Sequence, residues 1–268
     1  MSDLGLRRDQ GTGFQPVPYM LTAIGVLALL LAGAGSAGTR TERLRPVPIL
    51  MYHVIAPAPA KAPYPDLYVQ PADFAGQVAW LAKHGYTAVT LQRVLDAWRG
   101  AATLPAKPVV LSFDDGYLSQ LRNALPVLQA RGWPGVLNLE VKNLEPVWGI
   151  RPPGVRKLIK AGWEIDSHTI NHLDLRTLGA DALRHEVADS RGELRRRFHV
   201  PVSFFCYPAG RYDETVVDAV KAAGYLGATS TEYGLARPDD LYTLDRVRVN
   251  ASDGVAGLAR KLQALGAA

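Results

Sequence analysis

Two carboxylates, Asp114 and Asp115, stand side by side in "SFDDGY", at the end of the apolar run Val109 to Phe113 and just before Gly116. Like charges at the end of a buried strand cost free energy unless a cation lies between them or one keeps its proton, so the pair is either a solvated turn or a site. Asp-Asp-Gly alone is ordinary turn chemistry and leaves the two readings even. His168 and His172 in "SHTINH" shift the balance towards a site. At that spacing two imidazoles fall on one side of a helical turn and can share a cation. With Asp115 they make two histidines and one carboxylate, a set that leaves a divalent metal an open position for water or substrate. Neighbouring residues of a strand or turn cannot both face one ion, so Asp114 is left to face that water as general base. The repulsion within the pair is then offset by the cation.

These residues need a scaffold that brings distant segments to one place. After Pro46 the chain alternates short β-branched or aromatic runs with helical patterns. The expected strands are Val47 to Ile55, Thr87 to Leu91, Pro108 to Phe113, Gly135 to Val141, Trp163 to Ser167, Val202 to Tyr207 and Tyr225 to Thr229, with "TLDRVRV" as a further short run. Between them lie amphipathic stretches: in "PADFAGQVAWLAKHG", Phe74, Val78 and Leu81 share a face and Gly85 ends the helix. "ADALRHEVADSRGELRRRF" and "DETVVDAVKAAG" follow the same logic. The alternation predicts an α/β fold, a distorted (β/α)7 barrel, with a doubly wound open sheet as the alternative. Either fold places its site beyond the C-terminal ends of the strands, where Asp114, Asp115, "SHTINH", "YPAGRYD", His53 of "ILMYHVI", and Arg246 with Arg248 all fall.

The chain has 268 residues, 48% hydrophobic and 21% charged, enough for one sizeable core and one catalytic domain, 39–268. Before it, Tyr19 to Gly38 is free of charge, follows Arg7 and Arg8, and predicts one N-terminal hydrophobic helix. It reads as a transmembrane signal anchor or a signal peptide over 19–38, with 1–18 as a cytoplasmic tail, so the domain would be tethered to the inner membrane and face the periplasm, or be exported after cleavage. "GAGSAG" at 33–38 matches a dinucleotide fingerprint but ends an apolar span instead of joining a strand to a helix. A net charge of +5 comes with scattered Lys and Arg, and the run Arg195 to Arg197 suits a helix C-terminus, so no nucleic-acid partner is expected. The single cysteine, Cys206, forms no internal disulfide or cysteine cluster and reads as a small core residue. His84 and His185 read as surface residues.

"SFDDGY", "SHTINH" and "FCYPAGRYD" resemble, in order, three motifs of the polysaccharide deacetylases (NodB homology domain, carbohydrate esterase family 4), over roughly residues 46 to 250. The resemblance implies that Asp115, His168 and His172 bind a divalent metal, zinc before cobalt, nickel or iron(II), and that Asp114 is the base. Familiar members carry the acid histidine late in the chain, but none follows His199 here. "ILMYHVI" resembles the circularly permuted branch, which includes poly-N-acetylglucosamine deacetylases, so His53 takes the acid role. Where many members have Arg-Pro-Pro-Tyr-Gly, this chain has Cys206-Tyr207-Pro208-Ala209-Gly210. The arginine that orients the base is therefore missing, and Arg246 is the candidate to replace it. Tyr207, Pro208, Ala209 and Tyr117 are expected around the substrate or its oxyanion, and Trp133, Trp148 and Tyr212 are further candidates to stack on sugar rings. The implied activity is hydrolysis of N-acetyl groups on N-acetylglucosamine units of an envelope or extracellular polysaccharide. The alternatives are an O-acetyl esterase on xylan or another glycan, and a non-catalytic glycan-binding module.

Overall fold

The computed structural model describes residues 44–267. Among them no helix is long and apolar enough to cross a membrane; the 19–38 segment lies outside the described residues. Strands β1 (Ile49–Tyr52), β2 (Val54–Ile55), β3 (Tyr68–Val69), β4 (Tyr86–Ala88), β5 (Lys107–Asp115), β6 (Val136–Leu139), β7 (Glu164–Ser167), β8 (Phe204–Cys206), β9 (Gly227–Tyr233) and β10 (Leu244–Arg248) follow in chain order. Strands β5 to β10 pair in sequence as parallel neighbours, and β1 pairs with both β10 and β5, which closes a seven-stranded barrel. β2 and β3 make a separate two-stranded sheet.

The barrel is the expected one, but its membership differs. The run expected at Thr87 to Leu91 forms only β4, which pairs with Lys107 to Val109 outside the ring, while "TLDRVRV" supplies β10, the closing strand. Leu91 instead opens the helix Leu91–Trp98, capped by the Thr90 side chain accepting from Arg93 N. The Thr90 cap stops the strand early.

Alternation along the strands sorts the core from the site. Leu111 and Phe113 of β5, Leu137 and Leu139 of β6, Ile165 of β7 and Phe205 of β8 belong to the large apolar cluster shared with the helices. Their neighbours Val110, Val136, Phe204 and Leu244 join Ile49 in a second apolar layer. Two and four residues further on, the same strand faces carry Ser112, Asp114, Asn138, Cys206, Arg246 and Arg248. The barrel therefore turns from apolar to polar towards its C-terminal mouth, because a strand repeats its face every second residue.

The helices follow their sequence signals. Pro71–Lys83 starts on a proline, buries Phe74, Val78 and Leu81, and ends before Gly85. Glu214–Ala222 begins at Asp213, whose side chain accepts from Val216 N. The stretch expected as one helix over 180–198 is interrupted by a π-helical turn, His185–Asp189, which carries Glu186 into the interior.

One buried pair is unrelated to the mouth. Asp166 accepts from Phe204 N at 2.9 Å through Oδ1, while its Oδ2 has no donor, and burial together with the Glu164 charge pushes its carboxyl well above the ordinary range. A carboxyl raised in the fold favours its protonated form, so its contribution to stability falls as pH rises past its unfolded value. Asp166→Asn keeps the acceptor for Phe204 N. It is expected to raise the melting temperature by about 2–6 °C at pH 8 and by less at pH 5. Calorimetry at the two pH values checks this, and an equal change at both would count against a shared charge.

Candidate active site

The end of β5 departs from ordinary strand geometry where the chemistry begins. Asp115 has φ 73° and Gly116 has φ 88°, two consecutive residues in the left-handed region. The left-handed backbone at Gly116 favours glycine, and a Cβ there would also press on Leu139 Cδ1 at 2.5 Å. Strain at Asp115 is retained because its surroundings fix it: Asn143 Nδ2 donates to the Asp115 carbonyl at 2.9 Å.

Asp114 lies 2% exposed at the polar level of the barrel. Its Oδ1 accepts from Asn138 Nδ2 at 2.7 Å and from Arg246 Nη1 at 2.8 Å. Its Oδ2 lies 3.7 Å from Cys206 Sγ and 3.8 Å from His53 Nε2. Arg246 is itself buried, donating from Nε to the Ser230 carbonyl at 2.7 Å and lying 3.3 Å from Cys206 Sγ through Nη2. Burial alone would raise the Asp114 carboxyl, but the Arg246 guanidinium, with His53 and His168, outweighs it and holds the group well below its ordinary range. Arg246 thus reaches Asp114 from β10, and Cys206 approaches the same carboxylate from β8. Burial lowers the His53 pKa against the opposing pull of Asp114 and Asp115, and its Nδ1 is buried without a partner.

The second group gathers on Asp115. His168 Nε2 is 3.4 Å and His172 Nε2 3.8 Å from Asp115 Oδ1. The segment "SHTINH" is not a helical turn: it is an irregular loop after β7, with Thr169 at φ 71° and His172 at φ 55°. The histidines meet by loop curvature instead of helical spacing, with ring centroids 4.7 Å apart. Thr169 Oγ1 accepts from His172 N at 2.8 Å, and the buried Glu186 accepts from the amides of Ile170 and Asn171 at 2.9 and 2.8 Å. The π-helical turn therefore has a local purpose, since it delivers the carboxylate that holds this loop.

The donor set fits a divalent cation. One ligand atom from each of Asp115, His168 and His172 lies within 4.8 Å of the others. His168 Nδ1 is 2.8 Å from the Cys206 carbonyl, which fixes its proton there and leaves Nε2 as the ligand atom. His172, at 35% side-chain exposure, opens towards solvent.

Both groups line one cavity of about 920 Å³. Tyr117, Trp148, Tyr207 and Ala209 line it as well, with the exposed Tyr64 at its edge. Pro208 is buried in the turn below Ala209. Trp133 precedes β6 and is buried, and Tyr212 lies tilted against Tyr207 with ring centroids 4.8 Å apart; neither lines this cavity. Tyr117 and Trp148 remain, with ring centroids 5.4 Å apart.

A polysaccharide deacetylase family model matches residues 101–228. YxkH of Bacillus subtilis (strain 168), a polysaccharide deacetylase by assignment, is 32% identical over 225 residues, which cover 84% of this chain and 78% of that protein. The chain belongs to the polysaccharide deacetylase family. The poly-beta-1,6-N-acetyl-D-glucosamine N-deacetylase of Escherichia coli (strain K12) is 27% identical over 69% of this chain, and the match spans 34% of that larger protein. The deacetylase PplD of Streptococcus pyogenes, solved with acetate, shares the fold at a TM-score of 0.76 and 24% identity, over 81% of this chain and 98% of its own.

Within this deacetylase the sequence leaves several contributors unannounced. Asn138, Glu140 and Asn143 line or support the site from the end of β6 and the turn after it. The signal available was the pair of polar residues, Asn138 and Glu140, at alternate positions of "GVLNLEV", a strand otherwise apolar. Burial, then the Asp115 charge, pushes Glu140 up to about 7.

Proposed function

We propose that this deacetylase removes N-acetyl groups from N-acetylglucosamine units of a cell-envelope or extracellular polysaccharide, with Asp114 as general base and His53 as general acid. The observation that carries the reading is Asp114 itself: a buried carboxylate kept ionised by Arg246, with His53 on its free oxygen and the Asp115–His168–His172 group beside it. A divalent ion, zinc first, held by those three residues would supply Lewis acidity towards the acetyl carbonyl and acidify water.

The chain's own groups then divide the work. Asp114 Oδ2 accepts the proton of the attacking water, while Oδ1 stays tied to Asn138 and Arg246, so the base does not rotate as it is protonated. The Ala209 amide makes no hydrogen bond among the described residues, whereas Gly210 N and Arg211 N bond back to Tyr207 and Pro208. Ala209 N is therefore the donor for the developing oxyanion, in a turn where Ala209 holds φ 52°. Nitrogen leaves poorly unless protonated, and His53 in its imidazolium form supplies that proton from Nε2 and returns to neutral imidazole. Acetate and a glucosamine unit result. Tyr117 and Trp148 offer aromatic faces to the sugar.

The substrate assignment is supported by the name of the Escherichia coli relative and by the 19–38 segment, which as an anchor or signal would bring the domain to envelope glycans. His53→Ala is expected to cut acetate release from N-acetylglucosamine oligomers by about 10²–10⁴-fold, and to affect an activated acetyl ester far less, because its leaving group needs no proton. Equal loss on both substrates would remove His53 from the acid role. Ester turnover with no amide turnover in the unaltered chain would make the protein an O-acetyl esterase.

A further inference from the structure

Among the described residues, one cation lining the cavity has no ion pair. Arg246 is paired with Asp114, and Arg211 at the rim is 3.3 Å from Asp174. Asp115 faces the two histidines, and Glu140 is tied to Asn143 at 2.9 Å. Arg248 also lines the cavity, half-buried, yet among the described residues its guanidinium has no carboxylate within 4 Å; only its carbonyl is engaged, by Lys261 Nζ. Asp66, whose carbonyl accepts from Ala251 N at 2.9 Å beside this strand end, lines the cavity too but makes no ion pair with Arg248. Arg248 ends β10 two residues beyond Arg246, so it occupies the same strand face about 7 Å nearer the mouth. Its neighbour Asn250 adds a neutral amide on the same wall.

We infer that Arg248 reads the charge of the glycan beside the reacting acetamido sugar, binding a carboxylate there and repelling an ammonium. A half-buried guanidinium without an acid is a site for a planar oxyanion, which it meets with two parallel N–H donors. A single such cation beside a neutral amide suits a singly charged carboxylate. The substrate class is accordingly a polysaccharide in which the N-acetylated sugar neighbours an acidic one. An already deacetylated neighbour, bearing an ammonium, is disfavoured by the same group, so deacetylation along a chain is spaced instead of continuous.

The inference rests on the deacetylase reading of the same cavity, and a binding measurement separates the two. Hyaluronan tetrasaccharide, chitotetraose and its fully deacetylated counterpart are titrated by calorimetry into the full-length protein at fixed low salt. Hyaluronan tetrasaccharide is expected to bind at least tenfold tighter than chitotetraose, with the deacetylated tetramer weakest. Arg248→Gln should bring the three within about threefold, Arg248→Lys should keep part of the preference, and Arg211→Gln, at the rim, should keep it all. No preference in the unaltered protein, or a preference that survives Arg248→Gln or falls equally in Arg211→Gln, overturns the inference. Acetate release from chitotetraose is followed separately; its absence would overturn the deacetylase reading and leave the binding preference to be judged on its own.

Discussion

Asp114→Asn is expected to reduce acetate release from N-acetylglucosamine oligomers by about 10²–10⁴-fold, the range for losing a positioned general base, while zinc binding persists. The amide occupies the same volume and Oδ1 can still accept from Asn138 and Arg246. What disappears is the carboxylate oxygen 3.8 Å from His53 that would take a proton from water. Asp115→Asn should behave differently, losing metal affinity together with activity, since Asp115 Oδ1 is the carboxylate oxygen that faces Nε2 of both His168 and His172. Zinc titration beside turnover distinguishes the two variants. Near-normal turnover in Asp114→Asn with metal bound would remove Asp114 from the base role.

Arg246→Gln is expected to be the most destabilising single change at the mouth, by about 3–5 kcal/mol, because it strands a buried carboxylate. The pH dependence gives a sign that a cavity alone would not. In the unaltered chain Asp114 is held below its ordinary range, so its contribution to stability is present above its unfolded pKa and lost only as pH falls through the lower folded value. Without Arg246 burial dominates and the carboxyl moves up, so the variant should lose stability as pH rises through the unfolded value. The acid limb of its activity profile should move to higher pH for the same reason. Thermal melts at pH 5 and pH 8, with a pH–rate profile, check both. A deficit independent of pH would make Arg246 a packing residue only.

The strand-to-helix rhythm and the two metal-side motifs were legible because they are local: alternation, a double carboxylate, two histidines in one short segment. The means by which they meet was less so. Helical spacing suggested a turn for His168 and His172, whereas left-handed residues at Thr169 and His172 and the reach of Glu186 from a π-helical turn bend a loop to the same end. None of that leaves a period in the sequence. Arg246 could be proposed because a known contact lacked its usual residue, but Cys206 read as plain core, since only the closed barrel shows that β8 and β10 present it and Arg246 to Asp114. The mistaken place of Thr87 to Leu91 in the ring has a related cause: a short β-rich run looks alike whether it closes the barrel or flanks it, and pairing decides.

The most direct test is acetate release by the purified full-length chain from N-acetylglucosamine oligomers and from acetylated xylan, before and after metal is stripped with a chelator and zinc is restored. The account predicts release from the amino sugar that vanishes with the metal and returns with zinc. Release from xylan alone, or release from the oligomers that persists undiminished in the stripped protein, would contradict it.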